Sequence, residues 1–306
     1  MNERILITGA AGYLGKYLTK PLPQYFKKCK IYCIDKVYSK TKSKKFLKCN
    51  VSDKIQLKRI LQKVRPHIIF HLVGIGVSIN YTWQQFFDVN YKPTETLLEV
   101  LKSIPTFKPR IILFGSAAEY GTVPVNEMPI KEETPLNPVS PYGCSKALQS
   151  MIAKYYSNIG MDVILIRPFN IIGPEMSEHL SIGNFQNQFK KIVEKKSSSR
   201  IYVGNINVRR DYINIEDALR AFCIAAKKGR TGETYNVCGG KAISIKYILQ
   251  RLCSQYKGKI QFVVDKKLLR NNDVLVSYGS NEKLKKHTGW KPHVSIEKTI
   301  SSLYPV

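Results

Sequence analysis

Short apolar runs of roughly four to six residues recur down the chain, separated by longer stretches whose apolar positions fall three or four apart. Arg4-Ile-Leu-Ile-Thr8, Ile31-Tyr-Cys-Ile34, 46–49, Ile68-Ile-Phe-His-Leu-Val73, Arg110-Ile-Ile-Leu-Phe114 and Asp162-Val-Ile-Leu-Ile166 read as strands. Runs that are apolar throughout, rather than alternating, predict strands covered on both faces. Between them, helical periodicity covers 53–64 and 82–103, with Pro93 expected to kink the second near its first turns. Ser140-Pro141 opens a further helix, because a serine can cap the free amides and a proline has no amide to leave unpaired. Strand and helix in alternation predict an α/β fold around a parallel sheet. Past Arg167-Pro-Phe-Asn170 the pattern continues with helices at 185–195, 215–227 and 244–256 and strands at 200–203, 234–237 and 260–263.

The first strand stops at Gly9, and Gly9-Ala-Ala-Gly12-Tyr-Leu-Gly15 leads into a helical segment. Strand, glycine turn and helix in that order suit a dinucleotide, whose pyrophosphate rests on amides at a helix start. Gly9 makes the tight turn, Gly12 lets the backbone approach phosphate, and Gly15 lets helix and strand pack closely. The second strand ends in Asp35, about 20 residues on, where a carboxylate meets an adenosine ribose and repels a 2′-phosphate. NAD(H) is therefore favoured over NADP(H), and Lys36 keeps NADP(H) open. The predicted fold is a Rossmann-type doubly wound parallel sheet over 1–168, with segments of about 205–238 returning to it. A smaller C-terminal α/β domain over 169–306 is expected to bind substrate. Because such sheets bind ligands at the carboxyl ends of their strands, Gly9, Asp35, Gly74 and Ser116 are expected to face one crevice.

Tyr142 and Lys146 lie four apart in Ser140-Pro-Tyr-Gly-Cys-Ser-Lys146, one turn apart on one helix face. An ammonium there is expected to lower the tyrosine pKa towards the operating pH, as proton donation requires. The segment 115–140 before it, rich in Pro, Glu and Asn, reads as a long functional loop.

Charge and cysteine content exclude more than they assign. The 306 residues carry 49 Lys+Arg against 22 Asp+Glu, for a net charge of +27. That surplus suits polyanions, but the lysines are scattered over amphipathic segments and a solvated lysine-rich surface accounts for them. Seven cysteines without a paired Cys-x-x-Cys point to reduced thiols in a cytoplasmic protein. No apolar run reaches the ~18 residues of a membrane span, and no signal segment opens the chain.

Thr8 to Gly15, His71 to Gly74, Ser116 with Tyr142 and Lys146, Arg167 to Pro174 and Arg210-Asp-Tyr212 together resemble the extended short-chain dehydrogenases/reductases of nucleotide sugars. Glu119-Tyr-Gly, Pro138-Val-Ser-Pro-Tyr-Gly, Tyr235-Asn-Val-Cys238, Arg270-Asn-Asn-Asp273 and Thr288-Gly-Trp-Lys-Pro292 are most similar to the GDP-4-dehydro-6-deoxy-D-mannose reductases among them. The resemblance implies Ser116, Tyr142 and Lys146 as catalytic residues. For the cofactor it implies Gly9, Gly12, Tyr13, Leu14, Gly15, Asp35, Lys36, Asn50, Val51, Leu72, Val73, Gly74 and Phe169, with Tyr142 and Lys146. Ser116, Asn170, Arg210 and Arg270 would meet a nucleotide-diphosphate sugar. Tyr212 either stacks near the nucleotide or packs in the core, and His71 is read as a packed strand residue. Dehydratases of the family carry carboxylates at the two positions after the catalytic Ser/Thr; here stand Ala117 and Ala118, which cannot move a proton. The resemblance thus implies reduction at C4, with 4-epimerisation as the alternative and a homodimer as the assembly. A non-catalytic regulatory or nucleic-acid-binding subunit is the alternative of another class, disfavoured by the complete Ser116, Tyr142 and Lys146 set.

Overall fold

The computed structural model describes residues 3–37, 45–76, 81–195, 198–269 and 274–304. Its first half runs β1 (Arg4–Thr8), α1 (Tyr13–Leu18), α2 (Leu22–Tyr25), β2 (Lys30–Asp35), β3 (Lys45–Lys48), α3 (Lys54–Val64) and β4 (Ile68–His71). There follow α4 (Trp83–Phe86), α5 (Lys92–Lys102), β5 (Arg110–Phe114), α6 (Pro141–Asn158) and β6 (Val163–Pro168). The second half comprises β7 (Asn170–Ile172), α7 (Ser181–Val193), β8 (Arg200–Val203), β9 (Arg209–Asn214), α8 (Ile215–Lys228) and β10 (Thr234–Val237). It closes with β11 (Ala242–Ser244), α9 (Ile245–Cys253), β12 (Gln261–Val264), β13 (Val276–Ser277), α10 (Glu282–Thr288) and α11 (Ile296–Ser301).

Among the described residues seven strands form one parallel sheet in the order β10-β6-β5-β4-β1-β2-β3. Strand order reverses between β1 and β4, which opens a crevice at their carboxyl ends. Ile5, Ile7, Phe70, Ile112 and Ile166 bury one face against α8 and its neighbours. Leu6, Ile34, Ile69, Ile111 and Leu165 bury the other against residues of α3, α5 and α6. This two-sided burial is why the strands read as unbroken apolar runs. The chain returns after β9, so that α8 and β10 complete the large sheet.

The small sheet is built on β9, which pairs with β7 and β13 in parallel and with β11 antiparallel. A separate core of Phe185, Phe189, Ile201, Ile248 and Leu252 supports it. Tyr212 is buried there, so its packing reading is the one the structure carries.

The helix expected over 82–103 is three pieces. A π-helical turn, Phe87–Tyr91, lies between α4 and α5, and the Lys92 amide reaches back to the Phe87 carbonyl. Pro93 cannot donate to the carbonyl four residues earlier, so the ladder widens ahead of it instead of kinking in the first turns. α7 also begins four residues before the expected 185, and α9 ends three before 256.

Candidate active site

Four carboxyl ends converge on the crevice: Gly9 after β1, Asp35 at the end of β2, Leu72 to Gly74 after β4, and Ser116 after β5. Gly9 takes φ +69°, and a Cβ there would stand 2.7 Å from the Leu72 carbonyl carbon, so only glycine fits. A Cβ on Gly15 would lie 2.5 Å from the Gly9 oxygen, which is the close helix-to-turn packing expected of it. Gly12 caps α1 in an exposed position beside Tyr13 and Leu14. Asp35 is held over the turn: its carboxylate accepts from the Ala11 amide at 3.0 Å and the Val37 amide at 3.2 Å. Lys36 is exposed beside it. Asn50 uses its side-chain oxygen to accept from the Ser52 amide at 3.1 Å, and Val51 is buried behind it. An open, glycine-lined turn flanked by a carboxylate fits a dinucleotide. Phe169 sits apart from these residues, buried in a satellite core with Tyr120 and Cys238.

Ser116, just past β5, is hydrogen-bonded with Tyr142 near the start of α6, and Lys146 follows one turn later on the same helix. The Ser140 hydroxyl accepts from the Gly143 amide and Pro141 occupies the first turn, which fixes where α6 starts and hence where Tyr142 points. Burial pushes the Tyr142 phenol above its ordinary pKa, and its hydrogen bond with Ser116 pulls it back down. The expected lowering of Tyr142 by Lys146 is therefore reversed in direction, because loss of water dominates. Lys146 donates to the Phe114 carbonyl at 2.6 Å and to Gln149 Oε1 at 2.8 Å. Burial lowers its pKa to about 8, with Glu119 acting in the opposite sense.

Two polar networks support this trio, and sequence reasoning named neither. In one, Glu119 accepts from the Ser116 amide at 2.6 Å, from the Ser150 hydroxyl and from Arg167 Nε at 2.8 Å. Glu119 and Arg167 are both buried, so each leaves the other's charge compensated away from water. In the other, Gln149 leads through Thr94 to His71 and Thr8, all buried. His71 is thus a packed strand residue with both ring nitrogens engaged, and burial lowers its pKa to about 3. The only local signal for Gln149 was its place one turn beyond Lys146 on the same helix.

On the small-sheet side, Asn170 Nδ2 donates to the Asp211 carbonyl at 2.8 Å, and half-buried Arg210 precedes Asp211 on β9. The Asp211 carboxylate accepts from the amides of Gly239 (2.6 Å), Gly240 (2.9 Å) and Gly279 (3.2 Å). It thereby ties β9 to the segments after β10 and β13. Burial raises its pKa to about 7 despite those donors. Arg270 lies outside the described residues. No group of side chains suited to a metal ion occurs among the described residues, nor is any described helix long and apolar enough to cross a membrane.

Comparison with known proteins identifies the family. The GDP-mannose 4,6 dehydratase family matches residues 6–303. GDP-6-deoxy-D-mannose reductase of Pseudomonas aeruginosa is 27% identical over 99% of this chain and 96% of its own. UDP-glucuronate 4-epimerase of Thermodesulfobacterium geofontis is 29% identical over 96% of this chain and 93% of its own. The solved structure of RMD from Pseudomonas aeruginosa complexed with NADPH superposes with a TM-score of 0.84 at 24% identity, covering 98% of this chain and 97% of that one. The chain belongs to the GDP-mannose 4,6 dehydratase family of nucleotide-sugar dehydratases, reductases and epimerases, and is an oxidoreductase of the extended short-chain dehydrogenase/reductase type.

Proposed function

We propose that the protein reduces the C4 ketone of a nucleotide-linked 4-keto-6-deoxy sugar, of the GDP-4-keto-6-deoxy-mannose kind, with NAD(P)H. The observation that carries this reading is the Ser116–Tyr142 hydrogen bond, with Lys146 one turn further along α6, beside alanines at 117 and 118. A proton donor for a ketone is present, while the two positions that would hold the dehydration acid and base have none. The nearby carboxylate of Glu119 is committed to Arg167, Ser150 and the Ser116 amide.

A reduced nicotinamide, when bound, supplies hydride to C4. Tyr142 donates its proton to the oxygen as negative charge develops there, and Ser116 hydrogen-bonds the same oxygen. A phenol held above its ordinary pKa stays protonated at neutral pH, ready to donate. Lys146 holds the nicotinamide ribose and stabilises the phenolate left behind. Gly9, Gly12, Tyr13, Leu14, Gly15, Leu72, Val73 and Gly74 take the rest of the dinucleotide, with Asn50 and Val51 at the adenine. Phe169 reaches the cofactor less directly, since its ring is buried against Tyr120. Asp35 favours NADH by repelling a 2′-phosphate, and exposed Lys36 tolerates NADPH. Asn170, Arg210 and Arg270 meet the nucleotide diphosphate, for which planar guanidinium groups are suited.

Met151 and Tyr155 on α6, and Ile159 at its C-cap, are exposed at 65%, 54% and 46%. Spaced four apart, they form an apolar stripe that we read as the contact face of a homodimer. Light scattering on the purified protein tests it.

The 4-epimerase reading is favoured by one observation, the 29% identical full-length relative. Mixing the protein with NADH and GDP-4-keto-6-deoxy-mannose separates the two. Stoichiometric loss of NADH with a reduced sugar product supports reductase; inversion at C4 of a 4-hydroxy nucleotide sugar offered with NAD, without net formation of NADH, supports epimerase.

A further inference from the structure

We propose that Gln149 is a positioning residue for Lys146: its side-chain oxygen, anchored through Thr94 and His71 to the end of β1, fixes where the ammonium sits in the crevice. The inference rests on the reading of Lys146 as the group that works beside Tyr142.

Hydrogen-bonding capacity sets the direction of every link. Lys146 can only donate, so Gln149 presents Oε1 to it at 2.8 Å and Nε2 to Thr94 Oγ1 at 2.7 Å. Thr94 has one proton, which it gives to the Asn90 carbonyl at 3.2 Å. His71 Nε2, 3.0 Å from the same oxygen, must then be the donor. That leaves His71 Nδ1 as the acceptor from the Thr8 hydroxyl at 2.8 Å. Only one tautomer of a neutral imidazole satisfies the chain, and burial keeps the ring neutral. A flipped Gln149 would turn its amide NH₂ towards the ammonium and break two links at once.

Thr8, His71, Thr94, Gln149 and Lys146 are all buried. The Thr8 end is itself buried, and the chain holds Lys146 rather than relaying protons. Lys146 has a second fixed acceptor in the Phe114 carbonyl. The two acceptors together fix the ammonium between β5 and α6 while leaving Gly74 close by, where a Cβ would stand 3.6 Å from Nζ. The titratable and charged groups around Lys146 are Glu119 after β5, His71 on β4 and Tyr142 one turn earlier on α6. Arg167 of β6 lies beyond Glu119 and is paired with it. The facing residue of α5, Thr94, carries no charge.

The test changes the acceptor without touching Lys146. In Gln149→Glu a carboxylate replaces the amide oxygen; in Gln149→Leu and the closer-shaped Gln149→Met the acceptor is gone. The titration of Lys146 is followed by NMR of 13C-lysine-labelled protein without added cofactor, its signal identified by its loss in Lys146→Met. An acceptor favours the charged ammonium, so the midpoint should rise by about one pH unit in the Glu variant and fall by about one in the Leu and Met variants. The alkaline limb of kcat/KM for ketone reduction should move with it. A residue that only fills space would shift all three in the same direction or none, and either result overturns the proposal. Opposite NMR shifts in a protein that reduces no 4-keto sugar would support the role of Gln149 and remove the proposed substrate. Reduction with an unmoved Lys146 would do the reverse.

Discussion

Ionisable groups are buried beside both sheets, and burial moves the bases of the one and the acid of the other in opposite senses. In the large sheet it drives protons off bases: His71 titrates near 3 and Lys146 near 8. In the small sheet it holds a proton on an acid, Asp211, near 7. The partners differ as well. His71 and Lys146 are held by side chains from β1, α5 and α6 together with the Phe114 carbonyl, whereas the Asp211 carboxylate accepts from backbone amides, three of them of glycines. A side-chain cage fixes the position and tautomer of one group, as proton transfer demands. A carboxylate gripping loop amides fixes segments of backbone, as a surface that must shape itself around a substrate demands. On this reading chemistry belongs to the large sheet and recognition to the small one.

The largest expected effect breaks the chemical side. Tyr142→Phe should cost roughly 10² to 10⁴ in kcat, with NADH affinity retained when measured by fluorescence quenching. Next comes the buried pair beneath Ser116. Glu119→Ala leaves Arg167 charged and unpaired, and urea unfolding should show a loss of about 3 to 5 kcal/mol.

The contrast in charge is sharpened by pH. Below its ordinary value of 6.5 the unfolded chain protonates His71 while the folded chain does not, so His71 makes stability fall as pH drops from 6.5 towards 3. Asp211 works the other way: above 3.8 the unfolded chain gives up a proton that the folded chain keeps to about 7, so stability falls as pH rises through that window. Between about 4 and 6.5 the two slopes oppose. Asp211→Asn should remove one of them, so that its stability relative to the parent rises by about 1.4 kcal/mol per pH unit across that range. His71→Gln should give the opposite slope in the same denaturation series.

Smaller effects belong to recognition. Arg210→Ala should raise KM about tenfold with kcat nearly unchanged, as expected of a charged contact made equally to substrate and transition state. Asp35→Ala should shift preference towards NADPH by only a few-fold, since Lys36 alone is a weak replacement for a phosphate site; paired KM measurements check it.

What the sequence disclosed follows from distance along the chain. Gly9, Gly12 and Gly15 lie within seven residues, and Tyr142 and Lys146 one helical turn apart, so residue type and spacing carry their geometry. Asp35 was found by its place at a strand end. Gln149, Thr94 and His71 meet only because α5, α6 and β4 pack together, and no spacing encodes that. Asp211 was noticed inside Arg210-Asp-Tyr212, but its partners are backbone amides, which have no signature in residue type. Pro93 foretold an irregularity in its helix without saying that it would be a π turn. The direction of the Tyr142 shift is not legible in a Tyr-x-x-x-Lys spacing, which shows the ammonium and hides the loss of water.

The most direct test of reduction at C4 follows the hydride itself. Protein is mixed with NADH carrying deuterium at the transferable C4 position and with GDP-4-keto-6-deoxy-mannose, and the sugar is examined by mass spectrometry and proton NMR. The account predicts one deuterium at C4 of the product, with NADH consumed in equal amount and label transfer slowed roughly 10² to 10⁴-fold in Tyr142→Phe. A 4-keto sugar recovered unreduced and unlabelled from protein that binds NADH would contradict it.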